Sequence, residues 1–235
     1  MTEYATQRIR GGAGYTTDTG AHLGGLYSHN NLFGRAWVFD AKVDLDQRRQ
    51  VGSVKLAMPP APGATVDSLH GSVERTALEG IDLRSQRFGV RRSSTTDQRD
   101  TVYSIDLYRD RLAQLDGVTP PPDTLVQPGS HQALVAGVSQ SWRKLDNPVF
   151  PRKGRVVSYQ AGIAVKGVLS DQSFVRLDGQ LHEYLPVGRR NVVVLRTELG
   201  AVLSEAGNAA IPASLLFRTG GTESVRVGPG TPGVR

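Results

Sequence analysis

The segment FVRLDGQLHEYLP, residues 174–186, decides the fold, because polar and apolar residues alternate through it with a period of two. One register is mostly apolar and contains Val175, Leu177, Gly179 and Leu181. The other register is polar and contains Arg176, Asp178, Gln180 and His182. Successive side chains of a strand point to opposite faces of a sheet, so this segment predicts a β-strand with one apolar and one polar face.

The same alternation recurs along the whole chain. In WVFDAKVDLD, residues 37–46, aromatic and aliphatic residues alternate with acidic residues and Lys42. No segment keeps a helical period. We therefore predict an all-β, antiparallel, up-and-down fold with strands at about residues 8–15, 21–28, 35–46, 49–58, 65–78, 83–94, 100–113, 131–145, 155–167, 173–186 and 191–203.

The length of these segments favours a membrane barrel over a soluble sheet. Many reach ten residues or more, whereas strands of soluble sheets have about five or six residues. Tight linkers, PVGRRN (186–191) and LDQRRQ (45–50), alternate with the longer DGVTPPPDTLVQPGS (116–130). Short turns on one rim and long loops on the other are typical of transmembrane β-barrels. A soluble β-sandwich that binds ligands remains an alternative, since its strands also alternate.

Composition excludes several function classes. The net charge is +6, but the basic residues are dispersed, so we predict no nucleic-acid partner. The absence of cysteine excludes disulfides and thiolate metal sites. The segment MTEYATQRIR, residues 1–10, lacks the apolar stretch of a signal peptide. Opposite charges share the polar register of single strands, as in the pair Arg176 and Asp178, and a water-filled lumen tolerates such charges.

The sequence contains no recognisable catalytic motif. The five histidines follow no metal-ligand spacing, and no G-x-S-x-G motif occurs. The glycine-rich GGAGYTTDTG, residues 11–20, lacks the lysine of a phosphate-binding loop and predicts a strand and its turn instead. We therefore predict a protein that is not an enzyme and has no catalytic residue, cofactor or metal.

Five motifs that cover residues 7–226 resemble, in their order, the barrel of the BamA/TamA outer-membrane assembly superfamily, and its TamA-like branch most closely. Ala36 stands in the second motif where that family usually has glycine. The motifs are GYTTDTG (14–20), NNLFGRAW (30–37), VKLAMPP (54–60), LDNPVFPRKGRVV (145–157) and IPASLLFRTGGTESVR (211–226).

The resemblance implies a location and a function. Residues 1–226 would form a partial outer-membrane barrel domain with about eleven of the family's roughly sixteen strands, and residues 227–235 an aberrant Gly/Pro tail. The protein would lie in the bacterial outer membrane and insert or translocate other outer-membrane proteins, autotransporters among them. Its implied partners are outer-membrane lipid, unfolded client proteins, and a periplasmic or inner-membrane protein reached through POTRA domains. A passive channel and a two-partner secretion pore remain alternatives.

The resemblance also implies two sites. In the family the sixth extracellular loop folds into the lumen and its arginine docks on acidic groups of the wall, a role that here falls to Arg226. The implied loop motif is Gly220, Gly221, Val225 and Arg226. The second site is the edge of the first strand, which opens laterally and templates incoming strands by β-augmentation. Its implied residues are Arg10, Gly11, Gly12, Gly14 and Tyr15.

Overall fold

A computed structural model describes residues 6–17, 20–78, 81–114, 128–188, 190–205 and 207–217, apart from the side chains of residues 78, 81 and 114. These residues form one antiparallel sheet whose eleven strands lie in sequence order. The strands are β1 Gln7–Thr16, β2 Gly20–Leu32, β3 Trp37–Leu45, β4 Arg49–Ala57, β5 Thr65–Leu78, β6 Ile81–Thr95, β7 Arg99–Gln114, β8 Gly129–Leu145, β9 Gly154–Ala164, β10 Phe174–Val187 and β11 Asn191–Leu203.

The eleven strands predicted from alternation are confirmed, each within a few residues of its predicted bounds. Pairing is continuous across neighbouring strands, for example from Val175↔Leu203 to Val187↔Asn191 between β10 and β11. A single large meander sheet is not the two-sheet architecture of a β-sandwich, so the β-sandwich alternative is wrong. The sheet is not closed among the described residues, because β1 and β11 pair with one neighbour each.

The linkers alternate between two rims of the sheet. The linkers that follow odd-numbered strands join strand ends at the edge that we call rim 1. The linkers that follow even-numbered strands join strand ends at the opposite edge, rim 2. Tight and long linkers are not segregated as the sequence analysis expected. The tight LDQRRQ turn lies on the same rim as the long linker at 115–128, because both follow odd-numbered strands.

Two of the quoted motifs owe their sequences to turn geometry. In NNLFGRAW, Asn31 Oδ1 accepts the Ala36 amide at 2.9 Å, and Ala36 has a φ of 53°, the left-handed region that favours glycine. In LDNPVFPRKGRVV, the Asp146 carboxylate accepts the amides of Asn147, Arg152 and Lys153 at 2.9–3.1 Å. These amide hydrogen bonds, chiefly those from Lys153 and Arg152, lower the pKa of Asp146 below its ordinary value.

After β11 the chain turns back over the sheet and forms a short 3-10 helix, Ala213–Leu215. No helix in the described part of the chain is long and apolar enough to cross a membrane.

Candidate functional site

The two faces of the sheet differ in what covers them. Residues 207–217 pack against one face, which we call the inner face, and the opposite face is the outer face. Arg176, Asp106 and Gly162 lie on the inner face, as the register from β7 to β10 requires. The pairing register assigns Asp40 and Asp178 to the same face. The polar register of the alternation is thus the inner face.

The returning segment packs against an apolar cluster on the inner face. Ile211 is fully buried, and it clusters with Leu215 and residues of three strands: Ala133, Val135, Ala164 and Phe174. Ala213 packs against Leu83 and Leu112 on β6 and β7. The segment therefore spans the inner surface of β6 to β10 near rim 1.

Two charged side chains hold the backbone of this segment. The carboxylate of Asp110, 1% exposed, accepts the Ser214 amide at 2.7 Å. Its second oxygen, Oδ1, is buried without a hydrogen-bond partner among the described residues. From the other side, Arg176 Nε donates to the Leu215 carbonyl at 3.1 Å, and its guanidinium lies 4.4 Å from the centre of the Phe217 ring. A charged group thus fixes each end of the 3-10 helix.

Gly200 makes room for the Phe217 ring. A Cβ at Gly200 would lie 2.5 Å from Phe217 Cε1, closer than real Cβ contacts. The lack of a side chain at Gly200 on β11 therefore lets the aromatic ring lie against the sheet beside Arg176.

A second inner-face cluster is centred on Asp106, which is 2% exposed. Arg87 donates to its two oxygens at 3.2 and 2.8 Å, and His70 Nε2 lies 2.6 Å from Oδ1. His70 is two strands away, and the strand between them has Gly89 in the same row. A Cβ at Gly89 would lie 2.2 Å from Asp106 Oδ1, so only glycine lets the carboxylate pass over β6 to the histidine.

The middle of the outer face is largely apolar and exposed. Phe88, Ile105 and Val73 are 50–53% exposed in the middle of their strands. Near rim 2, six aromatic residues of five strands share this face: Tyr27, Trp37, Phe39, Tyr103, Trp142 and Tyr159. Tyr27 and Phe39 have ring centres 6.2 Å apart, and those of Trp142 and Tyr159 are 5.3 Å apart. An apolar band edged by aromatic residues is the surface that a barrel presents to lipid.

The predicted first-strand site lies on β1. All its residues are exposed, including Arg10 and Tyr15, and it pairs with β2 from Gln7↔His29 to Thr16↔Gly20. A Cβ at Gly12 or Gly14 would meet nothing within 4 Å, and one at Gly11 would meet only the Gly24 carbonyl at 3.9 Å. Packing does not require these glycines.

The other predicted site, Gly220, Gly221, Val225 and Arg226, lies outside the described residues. Its role stays a prediction. Sequence reasoning placed Arg176 in the interior but missed Asp110, Gly200 and the Gly89–Asp106–His70 row. The only signal for Asp110 was its place in the polar register of β7. Among the described residues, no group of His, Asp and Glu could hold a metal ion.

A family model supplies the observation that decides the identity. The model described as the Omp85 superfamily domain matches residues 31–227, most of the chain. The chain belongs to the Omp85 superfamily. Members of this family are outer-membrane assembly and translocation factors rather than enzymes, which agrees with the absence of a catalytic motif.

The fold of this Omp85 chain is also that of a solved structure, "The crystal structure of BamA from Haemophilus ducreyi lacking POTRA domains 1-3". The TM-score is 0.74 at 14% sequence identity, and the match covers 95% of this chain but 46% of the BamA chain. The Omp85 chain thus spans about half the length of that structure. No curated protein matches the sequence. The superfamily and the barrel fold predicted from the motifs are confirmed, whereas the comparisons do not distinguish the TamA-like branch.

Proposed function

We propose that this protein is an outer-membrane assembly or translocation factor whose β1 edge templates the strands of unfolded client proteins. The clients would be other outer-membrane barrels or autotransporters. The bilayer would surround the outer face, and rim 1, from which the inner segment returns, would be extracellular. A periplasmic or inner-membrane partner, bound through POTRA domains, belongs to the same proposal.

The main support for this proposal is the glycine content of β1. Glycine in a strand weakens pairing, because its unfolded state has more conformational freedom and it has no side chain to pack. Neither a close contact nor a positive φ explains Gly12 and Gly14. A seam that must open and then pair with a client strand does explain them, because weak pairing lowers the cost of opening.

Residues 207–217 argue against a passive channel. They cover the inner face across β6 to β10, and both Asp110 and Arg176 anchor them. The passive-channel alternative predicts a lumen without an inward segment, so these contacts favour the assembly or translocation factor. The two-partner secretion pore is a relative of the proposed factor and differs in exporting one dedicated substrate.

The test replaces Gly12 and Gly14 with valine in the intact protein, since β-branched residues favour strands and open space receives them. We expect slower insertion of a reporter barrel client, with heat-stability unchanged or raised. Gly25→Val on β2 is the matched control, because its Cβ would also meet nothing within 4 Å but its strand is paired on both sides. Normal insertion by the double variant, or equal slowing by the control, would contradict the templating role.

A crosslinking experiment tests the same edge directly. A photoreactive residue at Ala13, on β1, should capture the unfolded client, whereas one at Val54, on the outer face of β4, should not. Equal capture at both positions would indicate non-specific adhesion to the apolar surface.

A further inference from the structure

A row of arginines crosses the outer face near rim 1. Arg75 on β5 pairs directly with Arg84 on β6, and Arg84 pairs directly with Arg111 on β7. Arg109 lies two residues from Arg111 on the same face, and all four side chains are exposed. We call these four residues the arginine row.

The row has too little negative charge around it. Asp82 accepts from Arg75 at 3.1 and 3.2 Å and from Arg84 at 3.4 Å, and it is the one carboxylate that bonds to the row among the described residues. Arg109 donates to the neutral Gln132 at 3.2 Å. Like charges directly opposite each other in a sheet are destabilising, so three adjacent arginines need a further anion.

The height of the arginine row on the outer face indicates which kind of anion it binds. Two to four residues from the row, towards the middle of the strands, lie the exposed apolar residues Val73, Phe88 and Ile105. On β7, Arg99 near rim 2 and Arg109 are ten residues apart, about 33 Å of strand, which at the usual barrel tilt is a height of about 25 Å. That height matches the apolar band of an outer-membrane barrel. The arginine row therefore lies where the hydrocarbon ends and lipid headgroups begin.

We propose that the arginine row binds the phosphate-bearing headgroup of an anionic membrane lipid, whose acyl chains lie on the apolar band below. Guanidinium groups bind phosphate oxygens in a bidentate manner, and neighbouring arginines on adjacent strands can share one phosphate. The charge excess, the exposure and the adjoining apolar surface all favour a lipid over a soluble anion. This inference rests on the proposed location in the outer membrane.

The test uses the intact protein in detergent and measures, by native mass spectrometry, bound phosphatidic acid against bound phosphatidylcholine. We expect at least fivefold preference for phosphatidic acid. The variant Arg84→Gln/Arg111→Gln keeps the Arg75–Asp82 pair and should lose this preference without losing heat-stability, because it removes like-charge repulsion. Arg84→Lys/Arg111→Lys should keep part of the preference, since lysine is charged but lacks the planar fork.

The control is Lys144→Gln/Arg155→Gln. These two cations also lie directly opposite each other on the outer face, but at rim 2, beyond Trp142. Their replacement removes the same charge and should leave the preference unchanged. Equal loss in both double variants, no loss in the arginine-row variant, or full competition by glycerol phosphate at equal concentration would overturn the proposal.

A second measurement separates failure of this inference from failure of the proposed location. Brominated phosphatidylcholine in vesicles should quench the fluorescence that Trp142→Phe removes, because Trp142 is on the outer face. Quenching without a preference for phosphatidic acid overturns the lipid site alone. Absence of quenching overturns both the location and the lipid site.

Discussion

Replacing Gly89 with alanine should destabilise the barrel through a contact on the neighbouring strand. The new Cβ would lie 2.2 Å from Asp106 Oδ1 and 2.7 Å from the Ile105 carbonyl. The carboxylate must therefore leave its position between Arg87 and His70. A buried carboxylate that loses its charged partner costs about 3–5 kcal/mol, and a charge-assisted hydrogen bond contributes about 1.5–3 kcal/mol. Because Arg87 is partly exposed and can regain water, we expect a loss of about 2–4 kcal/mol in the free energy of unfolding.

The assay is urea unfolding of the intact protein in lipid vesicles, followed by tryptophan fluorescence. Gly25→Ala is the control, because its Cβ would meet nothing within 4 Å and alanine there should change stability by less than about 1 kcal/mol. Asp106→Ala in the Gly89→Ala background tests the mechanism. If the clash acts through the carboxylate, the two losses must not add, since each removes the same interactions. Additive losses, or a Gly89→Ala variant as stable as Gly25→Ala, would refute the reasoning.

Three further predictions concern the inner segment, one turn and the undescribed motif. Gly200→Val should displace Phe217 from Arg176 and expose residues 207–217 to limited proteolysis, whereas Gly179→Val on β10, whose Cβ would meet only the Leu199 carbonyl at 4.0 Å, should not. The pKa of Asp146 is lowered in the folded protein, so its carboxylate stabilises the 146–153 turn above the ordinary pKa of 3.8, and this stabilisation is lost as the pH falls through the folded pKa. The Asp146→Asn variant should therefore show weaker protection from amide exchange at Arg152 and Lys153 even at neutral pH. Unchanged protection would contradict this. Arg226→Ala should weaken client assembly and Arg226→Lys should restore it in part; an alanine variant equal to the unmutated protein in client assembly and heat-stability would make Arg226 an ordinary loop residue.

The strands could be predicted from sequence because alternation is a local property. Shifting the pairing register of a strand by one residue would turn its apolar side chains to the lumen. The alternation within each strand therefore identifies that strand and its outer face. The turn motifs were also local: Asn31 and Asp146 bond to amides at most seven residues away. The distribution of long and short linkers between the rims was predicted wrongly, although the predicted strand order already places LDQRRQ (45–50) and the long linker on the same rim.

The inner-face contacts could not be predicted, because they join residues distant in sequence. Asp110 and Ser214 are 104 positions apart, and Asp106 reaches His70 across 36. The local sequence around each of these residues gives no sign of its partner, because polar residues are expected throughout the inner register of a barrel. The local sequence also does not show that glycine is required at Gly89. The requirement follows only from the three-dimensional position of Asp106 on the neighbouring strand.

The inner face of β7 connects these contacts into one unit. Asp106, Tyr108 and Asp110 follow each other on that face. Asp106 binds the wall through Arg87 and His70, and Asp110 binds the returning segment at Ser214. Tyr108 lies between them and packs against the apolar cluster that contains Ile211 and Leu215. The Arg87 guanidinium lies 4.9 Å from the centre of the Tyr108 ring. We therefore expect a change that moves Asp106 to displace Arg87 and, through Tyr108, to loosen the inner segment.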